Sequence, residues 1–228
     1  MNSTNLPLWK YEQALYYDIF VKEEYGIAKS AIQEAKIIFD IWGHIGLFSE
    51  WCLNLNPQAT IHYFEPFEKN WKVAEQRLKP RNDAIIFNHL AIAPTSWNQT
   101  FFFNSQKTMQ SSKKASFLNP KWEAQTVHTE SLDQYILTNH ITTIDLMKLD
   151  IEGEEFEVLK SLSDDSRHRI RVLLCEIHLL WNAELLGWET LQNTLKSEFD
   201  TFEWIPSPYS EKIWICFCSR NTYSYPWF

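Results

Sequence analysis

At 228 residues with 45% hydrophobic content, the chain is sized for one domain that buries roughly 70% of its unfolded surface. A formal net charge of −8 argues against the strongly basic face that nucleic-acid binding requires. No apolar run approaches the roughly 18 residues needed to cross a bilayer, so no membrane partner is expected. Cys52, Cys175, Cys216 and Cys218 show neither CxxC nor zinc spacing, which reads as buried free thiols in a reducing, cytoplasmic setting.

Residues 1 to 35 carry helical periodicity, with Leu15, Ile19 and Val21, then Ile27, Ala31 and Ala35, placed to line helix faces. They are read as an N-terminal helical extension, and residues 36 to 228 as the main domain. "KIIFDI" predicts a first strand, followed by a helix from about Ile45 to Leu55 that Pro57 stops. "TIHYFEP" is a second strand, Glu68 to Leu78 a helix, and "AIIFNHLAI" a third strand. The polar stretch from Pro94 to Gln125 holds one strand, "TFFFN", and a Ser- and Lys-rich loop from Ser105 to Pro120. Such a loop is long for a compact domain, and its basic Lys107, Lys113 and Lys114 suit a solvated loop better than an anion-binding lid. Trp97 and Trp122 flank it and would serve equally as core residues or as platforms for a sugar ring. "TVHTESLDQYI" is a strand entering a helix, "TIDLMKLDIEG" a fourth parallel strand and "RIRVLLCEIH" a fifth. A helix near Glu184 to Lys196 precedes "FDTFEWI" and "KIWICFCS", whose short connection predicts an antiparallel C-terminal hairpin. Alternating strands and helices, with strands apolar on both faces, give an α/β fold: a doubly wound, mostly parallel sheet.

In such a sheet, ligands bind beyond the carboxyl ends of the strands, where the strand order reverses. Asp40 closes the first strand, and the turn Ile41-Trp42-Gly43-His44-Ile45-Gly46 leads into a helix whose free N–H groups favour an anionic group. Glu65, ending the second strand about twenty residues after the turn, stands where an acid accepts two ribose hydroxyls. "IWGHIG" lacks the G-x-G-x-x-G of a nicotinamide-dependent dehydrogenase, which removes that reading.

"FDIWGHIGLFSEW", "IHYFEPFEKNW", "TESLDQYI", "LMKLDIEGEEFEVLKSL" and "VLLCEIH" together resemble the FkbM family of methyltransferases, in the family's order and spacing from about residue 36 to 180. The resemblance implies a class I, Rossmann-like methyltransferase fold with a seven-stranded sheet. It also implies S-adenosylmethionine as cofactor and, usually, a hydroxyl of a sugar or secondary metabolite as acceptor. The family's first motif runs Asp, any residue, Gly, Ala, Asn, Ile, Gly. Asp40 and Gly46 match it; Trp42, Gly43 and His44 replace the first Gly, the Ala and the Asn. Gly43 is expected to supply, one residue late, the backbone freedom lost at Trp42. The cofactor-binding set is therefore Asp40, Gly43, Gly46, Glu65, Asn88 and Asp150, with His89 and Ala91 near Asn88 where this fold frames the adenine.

Asp150 and Glu152 at the fourth strand, and Glu176 and His178 at the fifth, have the spacing of two that shares a strand face. These strands are neighbours in the family's sheet, so the four residues should meet at one rim. His178 is the expected base, its imidazole raised by adjacent carboxylates; Glu176 orients it or takes a hydroxyl, and Asp150 fixes the cofactor's amino group or the acceptor. Glu154 and Glu155 read as first-turn helix acids. Oxygen ligands with one imidazole would also suit magnesium or manganese, although nothing in the spacing demands a metal. The leading reading is an S-adenosylmethionine-dependent O-methyltransferase acting on a small-molecule or glycan acceptor. The alternative is a non-catalytic member of the fold whose cofactor site Trp42 has closed. The sequence assigns no oligomeric state.

Overall fold

The computed structural model describes residues 10–104, 107–112, 122–178, 182–207 and 213–220. The N-terminal segment forms α1 (Lys10–Phe20), a 3-10 turn (Gly26–Ala28) and α2 (Lys29–Glu34). The alternating part begins with β1 (Ile37–Ile41), α3 (Leu47–Leu55), β2 (Thr60–Phe64), α4 (Glu68–Leu78) and β3 (Ile85–Asn88). Then come β4 (Ala91–Ile92), β5 (Trp97–Asn104), β6 (Lys107–Ser112), β7 (Trp122–Glu130) and α5 (Leu132–Thr138). The chain continues through β8 (Leu146–Leu149), α6 (Glu155–Ser161), α7 (Asp164–Arg169), β9 (Val172–His178), α8 (Asn182–Glu198), β10 (Thr201–Pro206) and β11 (Ile213–Ser219).

Seven strands make one sheet in the order β10-β11-β9-β8-β1-β2-β3. β1 pairs in parallel with β2 and β8, and β11 alone runs against its neighbours β9 and β10. The strand order therefore reverses at β1, between β2 and β8, where a doubly wound sheet opens its binding crevice. The expected sheet and C-terminal hairpin are present. No helix among the described residues is long and apolar enough to cross a membrane.

Two apolar layers cover the sheet, and period-two alternation sorts each strand between them. Phe39, Ile41, Met147, Leu149, Cys175 and Ile177 enter one core, together with Tyr135 of α5 and Trp188 of α8. Ile38, Leu146 and Leu174 enter the other, with Ala31 and Ile32 of α2 and Phe48 and Trp51 of α3. The N-terminal helices thus cover the sheet on the α3 side. All four cysteines are buried and free, with Cys216 and Cys218 Sγ atoms 3.5 Å apart.

The "AIIFNHLAI" run is not one strand. It breaks after Asn88, whose amide donates to the carbonyls of Tyr63 and Ile86, and Ala91–Ile92 joins a second sheet of order β4-β7-β5-β6. That sheet also absorbs part of the expected Ser- and Lys-rich loop as β6, paired with β5. Lys113, Lys114 and the rest of that loop lie outside the described residues, as do Pro208 and Tyr209 of the C-terminal connection. Trp97 is 75% exposed, which removes the core role considered for it.

Candidate active site

The turn after β1 is built from the protein's own polar groups. Gly43 N donates to Phe64 O at 2.8 Å and Gly46 N to Gly43 O at 2.8 Å. Trp42 and His44 carry φ of 67° and 51°, in the left-handed region where side chains other than glycine's are rare. Gly43 does not have a positive φ, so the expectation that it takes over the missing glycine's freedom is incorrect. Its missing Cβ serves packing instead, because a Cβ there would overlap the ring of Tyr63, whose hydroxyl donates to His44 O. Gly46, at φ 80°, supplies the left-handed cap of α3, and a Cβ there would press on Leu78 and Ala74. Trp42 itself is 7% exposed; its ring packs edge-on against Phe67 and at 5.4 Å from Phe101 of the second sheet.

Glu65 lies just beyond β2, fully buried, and is satisfied from within. Its Oε2 accepts from His44 N at 3.0 Å, and Oε1 accepts from Phe67 N at 2.8 Å and Asn70 Nδ2 at 3.3 Å. Burial pushes its carboxyl up to about 8 despite these donors. It closes the β1 turn onto the start of α4, and its full burial means that ribose hydroxyls would reach it only if its cover moved. Asn88 is likewise engaged, accepting from Tyr135 Oη at 3.1 Å, and His89 stacks on Trp71.

The opposite face of β1 carries the charge. Asp40 is fully buried, and its Oδ2 accepts from Ser49 Oγ at 2.6 Å. Its Oδ1 has no hydrogen-bond donor among the described residues and stands 4.0 Å from Lys148 Nζ. Asp40 and Lys148 are register partners on β1 and β8, which sets the buried ammonium beside it. Lys148 also bonds Asp150 Oδ2 at 3.1 Å. Burial opposes its charge, but Asp150, Asp40 and Glu176 outweigh that and raise its pKa. Sequence reasoning passed over Lys148, although a lysine inside an otherwise apolar strand signals a buried partner.

Asp150, Glu176 and His178 do meet, each offering an atom within 4.8 Å of those of the other two. The expected shared strand face for Asp150 and Glu152 is not the cause, because β8 ends at Leu149 and Glu152 turns through φ 55°. That turn carries Glu152 Oε2 to 3.8 Å from His178 Nε2, the same distance at which Glu176 Oε1 stands. Glu155 is more than a helix-start acid. It is buried, accepts from Ile151 N and Gly153 N at 3.0 Å, and holds His178 Nδ1 at 3.0 Å. Burial opposes charge on His178, yet Glu155, Glu152 and Asp150 outweigh it and raise its pKa well above the ordinary value. Glu176 is pushed up to about 8, first by burial and then by Asp150. The N-terminal segment reaches this rim too: buried Tyr25 donates to Glu176 Oε2 at 3.2 Å, and Glu24, raised to about 7 chiefly by burial, feels Asp150 and Lys148. Neither was visible from sequence, because 151 positions separate Tyr25 from Glu176.

A seven-stranded sheet with one reversed strand, with acids gathered at the reversal of its strand order, has the class I methyltransferase architecture. The methyltransferase FkbM domain model matches residues 40–203, and the chain belongs to that family. It is 22% identical over 169 residues to Methyltransferase 1 of Beauveria bassiana, covering 66% of this chain and 67% of that protein. It is 22% identical over 193 residues to the 31-O-demethyl-FK506 methyltransferase FkbM of Streptomyces tacrolimicus, covering 73% of this chain and 74% of that one. The crystal structure of an FkbM methyltransferase from Methylobacillus flagellatus superposes with a TM-score of 0.53 at 14% identity, over 80% of this chain. The chain spans only 43% of that structure. M. capricolum TrmK, solved with S-adenosylhomocysteine, gives a TM-score of 0.51 at 12% identity, over 89% of this chain and 70% of that one. At such identities the structural likeness carries the fold alone.

Proposed function

We propose that the protein is an S-adenosylmethionine-dependent O-methyltransferase acting on a hydroxyl of a small polar acceptor such as a sugar or secondary metabolite. The carrying observation is the convergence of Asp150, Glu176 and His178 beside Asp40 at the strand-order reversal. The residues there fit the ammonium of the cofactor's amino-acid end, because Asp40 keeps a buried carboxylate oxygen without a donor among the described residues. Asp40 and Asp150 would hold that end, and Glu65 would take the ribose once its cover moves. Bound cofactor supplies an electrophilic methyl group on a cationic sulfur.

The chain's own part is to hold the acceptor and remove its proton. His178, held at Nδ1 by Glu155, presents Nε2 to the acceptor hydroxyl. Glu176, pushed up to about 8 chiefly by burial, is a carboxylate whose basicity suits proton removal at neutral to mildly basic pH, and burial raises Glu152 in the same direction. Calorimetry with S-adenosylmethionine and S-adenosylhomocysteine tests this reading. Micromolar binding is expected, at least tenfold weaker in Asp40→Asn. In Glu176→Gln, affinity is expected to hold while turnover falls about 10²-fold or more. The internally satisfied Glu65 and the packed Trp42 favour a second reading, a binding protein with a closed cofactor site. Absence of heat at millimolar cofactor would select it.

A further inference from the structure

We propose that Asp150, Glu176 and His178 form a binding site for one divalent cation of hard-oxygen preference, manganese or magnesium. The three meet with their candidate ligand atoms within 4.8 Å of one another, a spacing that closes onto one ion when the side chains draw in by several tenths of an ångström to the roughly 4.2 Å that opposite ligands of Mg2+ span. Each has one polar atom fixed by a neighbour. Asp150 Oδ2 is held by Lys148, Glu176 Oε2 by Tyr25 Oη and His178 Nδ1 by Glu155. The other atom of each, Asp150 Oδ1, Glu176 Oε1 and His178 Nε2, makes no hydrogen bond among the described residues.

His178 points to the ligand independently of the acids. Its side chain is only 6% exposed, and Nε2 faces the gap between Glu152 and Glu176 at 3.8 Å from each, too far for hydrogen bonds. A carboxylate on Nδ1 is the arrangement that fixes a metal-binding imidazole, raises its basicity and presents Nε2. Here Glu155 provides it, itself locked by two backbone N–H groups. Acids outnumber cations there: among the described residues, Asp150, Glu152, Glu155 and Glu176 gather around the Lys148 ammonium and the imidazole. Two carboxylates and one imidazole suit manganese or magnesium, and three protein ligands leave positions open.

What the cation would do rests on the methyltransferase reading. An acceptor oxygen on an open position would be fixed and its hydroxyl acidified. Glu152, which is not a ligand, would then be the carboxylate left to take the proton.

The test uses the full chain, stripped of metal by chelator and titrated with Mn2+ alone while the spectrum of free Mn2+ is followed by electron paramagnetic resonance. One ion per chain is expected at micromolar concentration. Binding should weaken at least tenfold in His178→Ala and in Asp150→Asn, and should not change in Glu75→Gln on the exposed side of α4. Circular dichroism identifies variants that keep the fold, and Asp150→Asn, isosteric and partly exposed, decides if His178→Ala does not. No binding at 1 mM, or unchanged binding in folded variants, overturns the site. Mn2+ binding without cofactor binding keeps the site and removes the methyltransferase reading. Methyl transfer that persists in a chain unable to bind Mn2+ does the reverse.

Discussion

Trp42 shows how two local energies compete at one residue. A left-handed non-glycine backbone costs about 1–3 kcal/mol, whereas truncating a buried Trp costs about 3–5 kcal/mol. The ring's contacts with Phe67 and Phe101 therefore outweigh the strain. Trp42→Gly, although it restores the family residue, should destabilise the protein by about 2 kcal/mol in urea denaturation. Gly43→Ala should cost about 1–3 kcal/mol by forcing Tyr63 aside. The departure at Trp42 was legible in the sequence; its resolution was not, because the ring's partners come from β5 and from the residue after Pro66. Asp150, Glu176 and His178 were legible because they end adjacent strands. Lys148 and Glu155 stood inside the same quoted motif, but their roles depend on partners across the sheet.

At the scale of elements, strong apolar periodicity carried the reading and weak periodicity did not. Helix α4 falls on the expected span, Glu68–Leu78, with Ala74 and Leu78 turned into the core. The second sheet was missed because β5 and β7 pair largely through polar residues, such as Thr100 with Thr126 and Asn98 with His128. Apolar content also made β3 and β4 look continuous, whereas the Asn88 side chain ends the first. Helix α5 begins on Ser131, whose Oγ accepts from Gln134 N at 3.3 Å. Ser131→Ala should lower stability by about 1 kcal/mol, measured by thermal or urea unfolding. Tyr25→Phe should cost a similar amount by removing the bond from the N-terminal segment to Glu176.

For the whole molecule, the buried acids set a pH dependence of one sign. Glu65 and Glu176 titrate at about 8 in the folded chain and Glu24 at about 7, against an ordinary 4.5. A raised folded value means that their contribution is complete below 4.5 and is lost as pH rises through 7 to 8. For Glu65 alone the whole loss is on the order of 5 kcal/mol. Urea unfolding should therefore show greater stability at pH 6 than at pH 9, and Glu65→Gln should flatten that difference. The sheet was legible as a whole because alternation and parallel order leave few topologies open. Its strand order also sets a sequence of assembly. Glu65 reaches His44 across 21 positions, whereas Asp145 anchors Ile37 across 108. Closing the longer span costs about 1.4 kcal/mol more in chain entropy. The β1–β2 unit with its sealed turn is therefore favoured to form early. The acid rim, which waits for β8 and β9, is a late-folding feature whose mutual repulsion is felt only near the native state.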